Sequence, residues 1–160
     1  MKAKRGFTLV EILIVVVILG ILAAIVIPQF TEASTEAKLS SLCSDLQTVR
    51  SQIELYKVQH NDKLPGAGGA SFEDAMTSTT GTDVDGDAWV DLVTSGTKYG
   101  PYLQQIPTNS FNQFATVRID GADPGANTHG WRFNTTNGDF RADDDYDQDG
   151  DGTPGDHTTL

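Results

Sequence analysis

Glu11 is the only charge in the stretch Phe7 to Ile27 (FTLVEILIVVVILGILAAIVI). A carboxylate inside an apolar helix is costly in lipid and by default marks function, with a partner to be named. The residues before it point to an amine. Met1 to Gly6 (MKAKRG) is a short basic leader, and Gly6-Phe7-Thr8-Leu9-Val10-Glu11 follows at once. A cut after Gly6 creates a positive amine on Phe7. That amine lies too close along the same helix to be a good partner within the chain. A neighbouring copy shifted along the axis presents its own amine to Glu11, so the chain reads as one built to stack with itself.

The second group of residues with chemistry lies in the tail. Asp145-x-Asp147-x-Asp149-Gly150-Asp151 matches the start of an EF-hand-type calcium loop, and Asp156 falls at its twelfth position. Calcium is a hard cation that takes six to eight oxygens, and the glycine permits the sharp turn that gathers them. Asp156 replaces the usual bidentate Glu, which shortens the reach. Pro154 and Gly155 leave no flanking helix. The expectation is a calcium loop of the kind found outside EF-hand domains; the plainer alternative is a solvated acidic tail. Asp83, Asp85 and Asp87 form a weaker cluster, either a turn or a contributor to the same site.

No catalytic constellation accompanies these groups. His60, His129 and His157 are isolated in sequence, with no nucleophile elbow, phosphate loop or zinc spacing. His60 is expected to meet the last carbonyls of a helix.

The elements that must position Glu11 are legible from periodicity. Phe7 to Ile27 rises about 31 Å as a helix, close to the hydrocarbon thickness of a bilayer. It is apolar all round, as a helix in lipid or among similar helices must be. The basic leader places the N-terminus in the cytoplasm and the rest outside. A secretory signal is cut after its apolar core at a small-x-small site, and Ala23-Ala24 give no Ala-x-Ala. Pro28 closes the run and is expected to kink the helix or remove a backbone bond; with Gly20 it would permit local unwinding. Beyond it, Leu39, Leu42, Leu46, Val49, Ile53 and Tyr56 recur at helical spacing, an amphipathic continuation that Asn61-Asp62 and Leu64-Pro65-Gly66 end.

The rest is loop-rich. Ser71 is placed to cap a short helix, Phe72 to Met76, and Thr77 to Asp87 reads as a surface loop. Strands are expected at Ala115 to Ile119, Gly130 to Asn134 and Asp139 to Ala142, with an Asn137-Gly138 turn between the last two. Val117, Ile119, Trp131, Phe133 and Phe140 are expected as core against the helix stripe. The single cysteine, Cys43, excludes an intrachain disulfide and reads as a buried structural thiol.

The Gly-Phe-Thr-Leu-Val-Glu run behind a basic leader resembles the processing site of type IV pilins and pseudopilins, and the likeness extends over about the first fifty-five residues. It implies cleavage by a prepilin peptidase after Gly6, methylation of Phe7 and an assembly role for Glu11. Ile53-Glu-Leu-Tyr-Lys and Leu64-Pro65 resemble the helix end of G-type major pseudopilins of type II secretion. Tyr99 to Pro107 (YGPYLQQIP) is similar to the segment leading into their sheet. Those proteins carry a structural calcium near the C-terminus. They also usually have an aspartate and a Trp-Gly pair after the strand-leading proline, where this chain reads Pro107-Thr-Asn-Ser-Phe-Asn. Many major type IV pilins close a C-terminal loop with a disulfide, which this chain cannot do.

The implied architecture is an α+β, pilin-like fold. A long N-terminal helix, half membrane-spanning and half amphipathic, packs on a small antiparallel sheet with an acidic C-terminal loop. Residues 1–6 are the leader, 7–28 the transmembrane and assembly helix, and 29–160 a periplasmic globular domain whose helix runs to about residue 60. The implied partners are other copies in a helical homo-polymer, the peptidase, an inner-membrane assembly platform, minor pilins or pseudopilins, and the membrane before assembly. Nucleic acid is disfavoured: without the three basic leader residues, eight Lys and Arg face 22 acidic side chains, a formal charge of −14. The expected location is the bacterial inner membrane, then a periplasmic or cell-surface filament. The alternatives are a major type IV pilin for adhesion or motility, and a membrane-anchored calcium-binding domain that never polymerises.

Overall fold

The structure, a computed structural model, describes residues 7–82, 89–90, 98–121, 125–146 and 157. The chain divides into two compact units, Met1–Lys38 and Leu39–Leu160. Helix α1, Leu9–Gln59, supplies the first unit and begins the second. Its backbone is helical through Gly20 and Pro28.

In the first unit every side chain from Phe7 to Ile27 is exposed. Polar groups further along satisfy themselves locally: Thr31 Oγ1 donates to the Ile27 carbonyl at 3.2 Å and Thr35 Oγ1 to that of Thr31 at 3.1 Å. Such bonds to the preceding turn leave no hydroxyl stranded in an apolar setting.

In the second unit α1 buries one stripe. Leu42, Leu46, Val49, Ile53 and Tyr56 are each 0–1% exposed, and Leu39 is half-buried. At 100° per residue the stripe takes Leu42 inward and turns Cys43 outward. The thiol is therefore exposed, contrary to the buried role expected from its spacing. The helix ends where Asn61 and Asp62 adopt positive φ (52° and 61°), a conformation these residues tolerate. The Asp62 amide then closes on the Lys57 carbonyl at 2.9 Å, satisfying one of the last helical acceptors.

Helix α2, Phe72–Thr77, starts as expected: Ser71 Oγ accepts from the Asp74 amide at 3.0 Å. Among the described residues six short strands follow: β1 Thr80–Thr82, β2 Trp89–Val90, β3 Lys98–Tyr99, β4 Val117–Ile119, β5 Trp131–Phe133 and β6 Phe140–Ala142. They form two three-stranded sheets, ordered β2-β1-β3 and β4-β5-β6.

The first sheet corrects the sequence reading, which placed Thr77 to Asp87 in a loop. Strand β1 lies between two antiparallel neighbours, so pairing on both edges holds a Thr-Gly-Thr segment with little apolar pattern. The second sheet is mixed, not antiparallel. Strands β5 and β6 form the expected hairpin, whereas β4 runs parallel to β5. The connection from Ile119 to Trp131 is a crossover of about a dozen residues, long enough to return the chain in the same direction.

The core joins the α1 stripe to Phe72, Trp131, Phe133 and Phe140. Phe72 sits 4.5 Å from Phe133, centroid to centroid, and Trp131 lies 5.4 Å from Phe140. Arg50 Nε donates to the Phe140 carbonyl at 2.9 Å, tying β6 to the helix. Of the two β4 residues expected in this core, Val117 is buried, whereas Ile119, at the strand's end, is 45% exposed. Gly130 permits the closest backbone approach: a Cβ there would stand 2.0 Å from the Phe114 carbonyl oxygen. Gly138 supplies the positive φ (77°) of the hairpin turn.

Candidate functional site

Thr8 and Glu11 form a reciprocal cap at the start of α1. The Thr8 amide donates to Glu11 Oε2 at 2.8 Å and Thr8 Oγ1 donates to the same oxygen at 2.9 Å. The Glu11 amide donates back to Thr8 Oγ1 at 3.2 Å. This is a capping box, in which a threonine and a glutamate three residues later satisfy orphan donors of the first turn. The carboxylate thus has donors within its own chain. Among the described residues Oε1 takes no hydrogen bond, so one oxygen remains for a second donor. The sequence reading looked only for an amine from another copy. The Thr-x-x-Glu spacing was the signal for the cap.

Phe7 is 80% exposed beside this cap. Gly6 lies outside the described residues, as does the scissile bond. Pro28 is placed as helical backbone within α1.

At the other end of the chain, Asp145 is exposed, and Asp147, Asp149, Asp151 and Asp156 lie outside the described residues, as do Asp83, Asp85 and Asp87. Among the described residues no group of three His, Cys, Asp or Glu is placed to hold a metal ion. The two aspartates before Asp145 have other work. Asp143 is fully buried and takes Arg118 in a two-point pair, Nε at 3.0 Å and a terminal nitrogen at 2.6 Å. It also accepts the Gly125 and Ala126 amides at 3.1 and 3.3 Å. The hydrogen bond from Arg118 to Asp143 raises the guanidinium's pKa above its ordinary value.

Asp144, 1% exposed, gathers three donors: Asn109 Nδ2 at 2.7 Å, the Tyr146 amide at 3.3 Å and His157 Nδ1 at 2.9 Å. A buried carboxylate requires such compensation. The His157 ring is fully buried against Phe111 at 4.1 Å and Tyr146 at 4.8 Å, stacked nearly parallel on the latter at 12°. The sequence reading left His157 isolated because its partners are remote in sequence. His60 behaves as expected: its Nδ1 lies 2.9 Å from the Tyr56 carbonyl, and its ring stacks on Tyr56 at 3.9 Å.

The capping box thus opens a stretch, Phe7 to Ile27, in which every side chain is exposed and Glu11 carries the one charge. Residues 1–27 match the prokaryotic N-terminal methylation motif. Gly6, Phe7 and Glu11 all fall inside that match. Over 59 residues the chain is 41% identical to the type II secretion system core protein G of Pseudomonas aeruginosa, covering 37% of this chain and 42% of that protein. It is 39% identical over 64 residues to the type II secretion system core protein G of Dickeya chrysanthemi, covering 40% and 41%. A fimbrial protein of Pseudomonas aeruginosa is 43% identical over 54 residues, covering 34% of this chain and 35% of the relative. The chain thus spans about two fifths of the length of the curated relatives it matches. No solved structure matches it.

Proposed function

We propose that this chain is a structural subunit of a type II secretion-like pseudopilus. A prepilin peptidase cuts between Gly6 and Phe7, Phe7 is methylated, and the subunit then polymerises through α1. The observation that carries this reading is the overlap of the methylation motif with a helix whose side chains from Phe7 to Ile27 are all exposed. That segment is apolar and long enough to cross a membrane. Its apolar surface requires a cover, first lipid and then the helices of other copies. In the polymer, Glu11 keeps its bonds to Thr8 and offers its other oxygen to the Phe7 amine of a neighbour. The partners are other copies, the peptidase, an inner-membrane platform and minor pseudopilins.

Calcium is the cofactor of this reading, held by Asp145, Asp147, Asp149, Asp151 and Asp156. The donor set suits a hard cation, since it is carboxylate throughout. This reading leaves Asp143 and Asp144 out of the ligand set, since each already takes side-chain donors of the protein. Calcium added at about one hundred times its dissociation constant should stabilise the second unit by roughly 2.7 kcal/mol. A melting temperature indifferent to calcium and to chelator would remove the ion from the reading and leave the polymer untouched.

The decisive experiment is mass spectrometry of the subunit N-terminus in a native filament fraction. Methylated Phe7 in polymerised material supports processing and assembly together. An intact Met1, or a cut beyond Ala24 in monomeric protein, refutes both and leaves an anchored or secreted acidic domain. A surface type IV pilus is the second reading, favoured by the fimbrial relative. The lack of a possible disulfide and the acidic tail weigh toward the secretion filament.

A further inference from the structure

We propose that Asn109, Asp144 and His157 form a latch that fastens the C-terminal end of this chain to the segment after Pro107 without a metal. Asn109 is fully buried and fixed by more than the latch: its Nδ2 also donates to the Gly130 carbonyl at 2.9 Å, and its Oδ1 accepts the Phe111 amide at 2.8 Å. It therefore presents a preset donor to Asp144. His157 brings the second donor from 13 residues further along. A carboxylate accepts through both oxygens, so the latch uses the tautomer of His157 that carries its proton on Nδ1. Phe111 and Tyr146 flank the imidazole, one from each of the segments being joined. Hydrogen bonds to a buried carboxylate are the strong kind, and removing one leaves it short of a donor that water cannot easily replace. Side chains thus hold His157 to the segment after Pro107 in a sequence whose single cysteine allows no intrachain disulfide.

The inference is independent of filament assembly and of calcium, and its test separates it from both. Hydrogen exchange is followed by mass spectrometry in peptides covering Asp144–Tyr146 and His157, using the full chain in detergent with EGTA. Two substitutions divide the contact. His157→Phe keeps a ring between Phe111 and Tyr146 but removes the donor. His157→Asn removes the ring but keeps a nitrogen close to the position of Nδ1. We expect slow exchange in the wild type with EGTA, about tenfold faster exchange in His157→Phe, and substantial recovery in His157→Asn. Wild-type exchange that becomes as fast as that of His157→Phe on adding EGTA would show that a metal is the fastener, and would overturn the latch. Slow exchange in His157→Phe would overturn it too, as would equal acceleration in both variants, which would assign the holding to ring stacking alone. Far-ultraviolet circular dichroism and a cooperative thermal transition confirm that each variant is folded; if His157→Phe is not, His157→Leu takes its place.

Discussion

Ile14 and Ile53 are the same residue on the same helix, yet Ile14 is 52% exposed and Ile53 1%. Burying an isoleucine side chain is worth roughly 1.5–3 kcal/mol, so the two halves of α1 are stabilised from different sources. The half around Ile53 is held by its own chain: Phe72, Trp131, Phe133 and Phe140 cover it. The half around Ile14 has no such cover among the described residues. One helix thus carries a finished interface and an unfinished one. In the unfinished part, helicity rests on local devices, namely propensity, the Thr8–Glu11 cap and the threonines that bond back along the helix.

The largest expected effect falls on the unfinished half. Glu11→Ala should lower the polymerised fraction at least about tenfold, while thermal unfolding of the second unit in detergent stays within roughly 0.5 kcal/mol of wild type. Filament yield equal to wild type would break the division, because it would mean that the charge has no assembly role. The finished half is struck hardest at Gly130. Its added Cβ would collide with Phe114 backbone, which cannot swing aside, so Gly130→Ala should cost about 4 kcal/mol or more. A cost under about 1 kcal/mol would show that the Phe114–Gly130 crossing is not fixed in solution.

The isoleucines themselves sharpen the comparison. Ile53→Ala should cost about 3 kcal/mol in chemical denaturation, and Ile14→Ala should change stability in detergent by no more than roughly 0.5 kcal/mol. Equal costs would erase the distinction. The smallest effect concerns Asp120, whose carboxyl is pulled below the ordinary aspartate value of 3.8 by hydrogen bonds from the Thr135 hydroxyl and amide. A depressed carboxyl stabilises the fold above its unfolded pKa and loses that contribution as pH falls through the folded value. Thr135→Val should therefore be less stable than wild type at neutral pH, with the gap closing below pH 3.8. A gap that persists unchanged into acid would assign the loss to packing.

Much of this was visible in the residues because burial on a helix is periodic. The stripe from Leu42 to Tyr56, the Ser71 cap and the Asn137-Gly138 turn each announce themselves within a few positions. The misses share a different cause. Strand β1 is made by neighbours on both edges, and the parallel pairing of β4 with β5 depends on a crossover that no local pattern encodes. Cys43 fits helical spacing with Leu39 and Leu46 as well as Leu42 does, and only the sheet's position chooses between them. Asn109, Asp144 and His157 are brought together across 35 and 13 residues, a distance over which spacing carries no information.

The outward turn of Cys43 makes the chain easy to address. The chain has one thiol, and it faces away from the core on a rigid helix. A maleimide spin label placed there would mark every copy at one equivalent point without engineering. The spacing between labels in a polymer would then read out its helical repeat directly, in a ruler that the protein already carries.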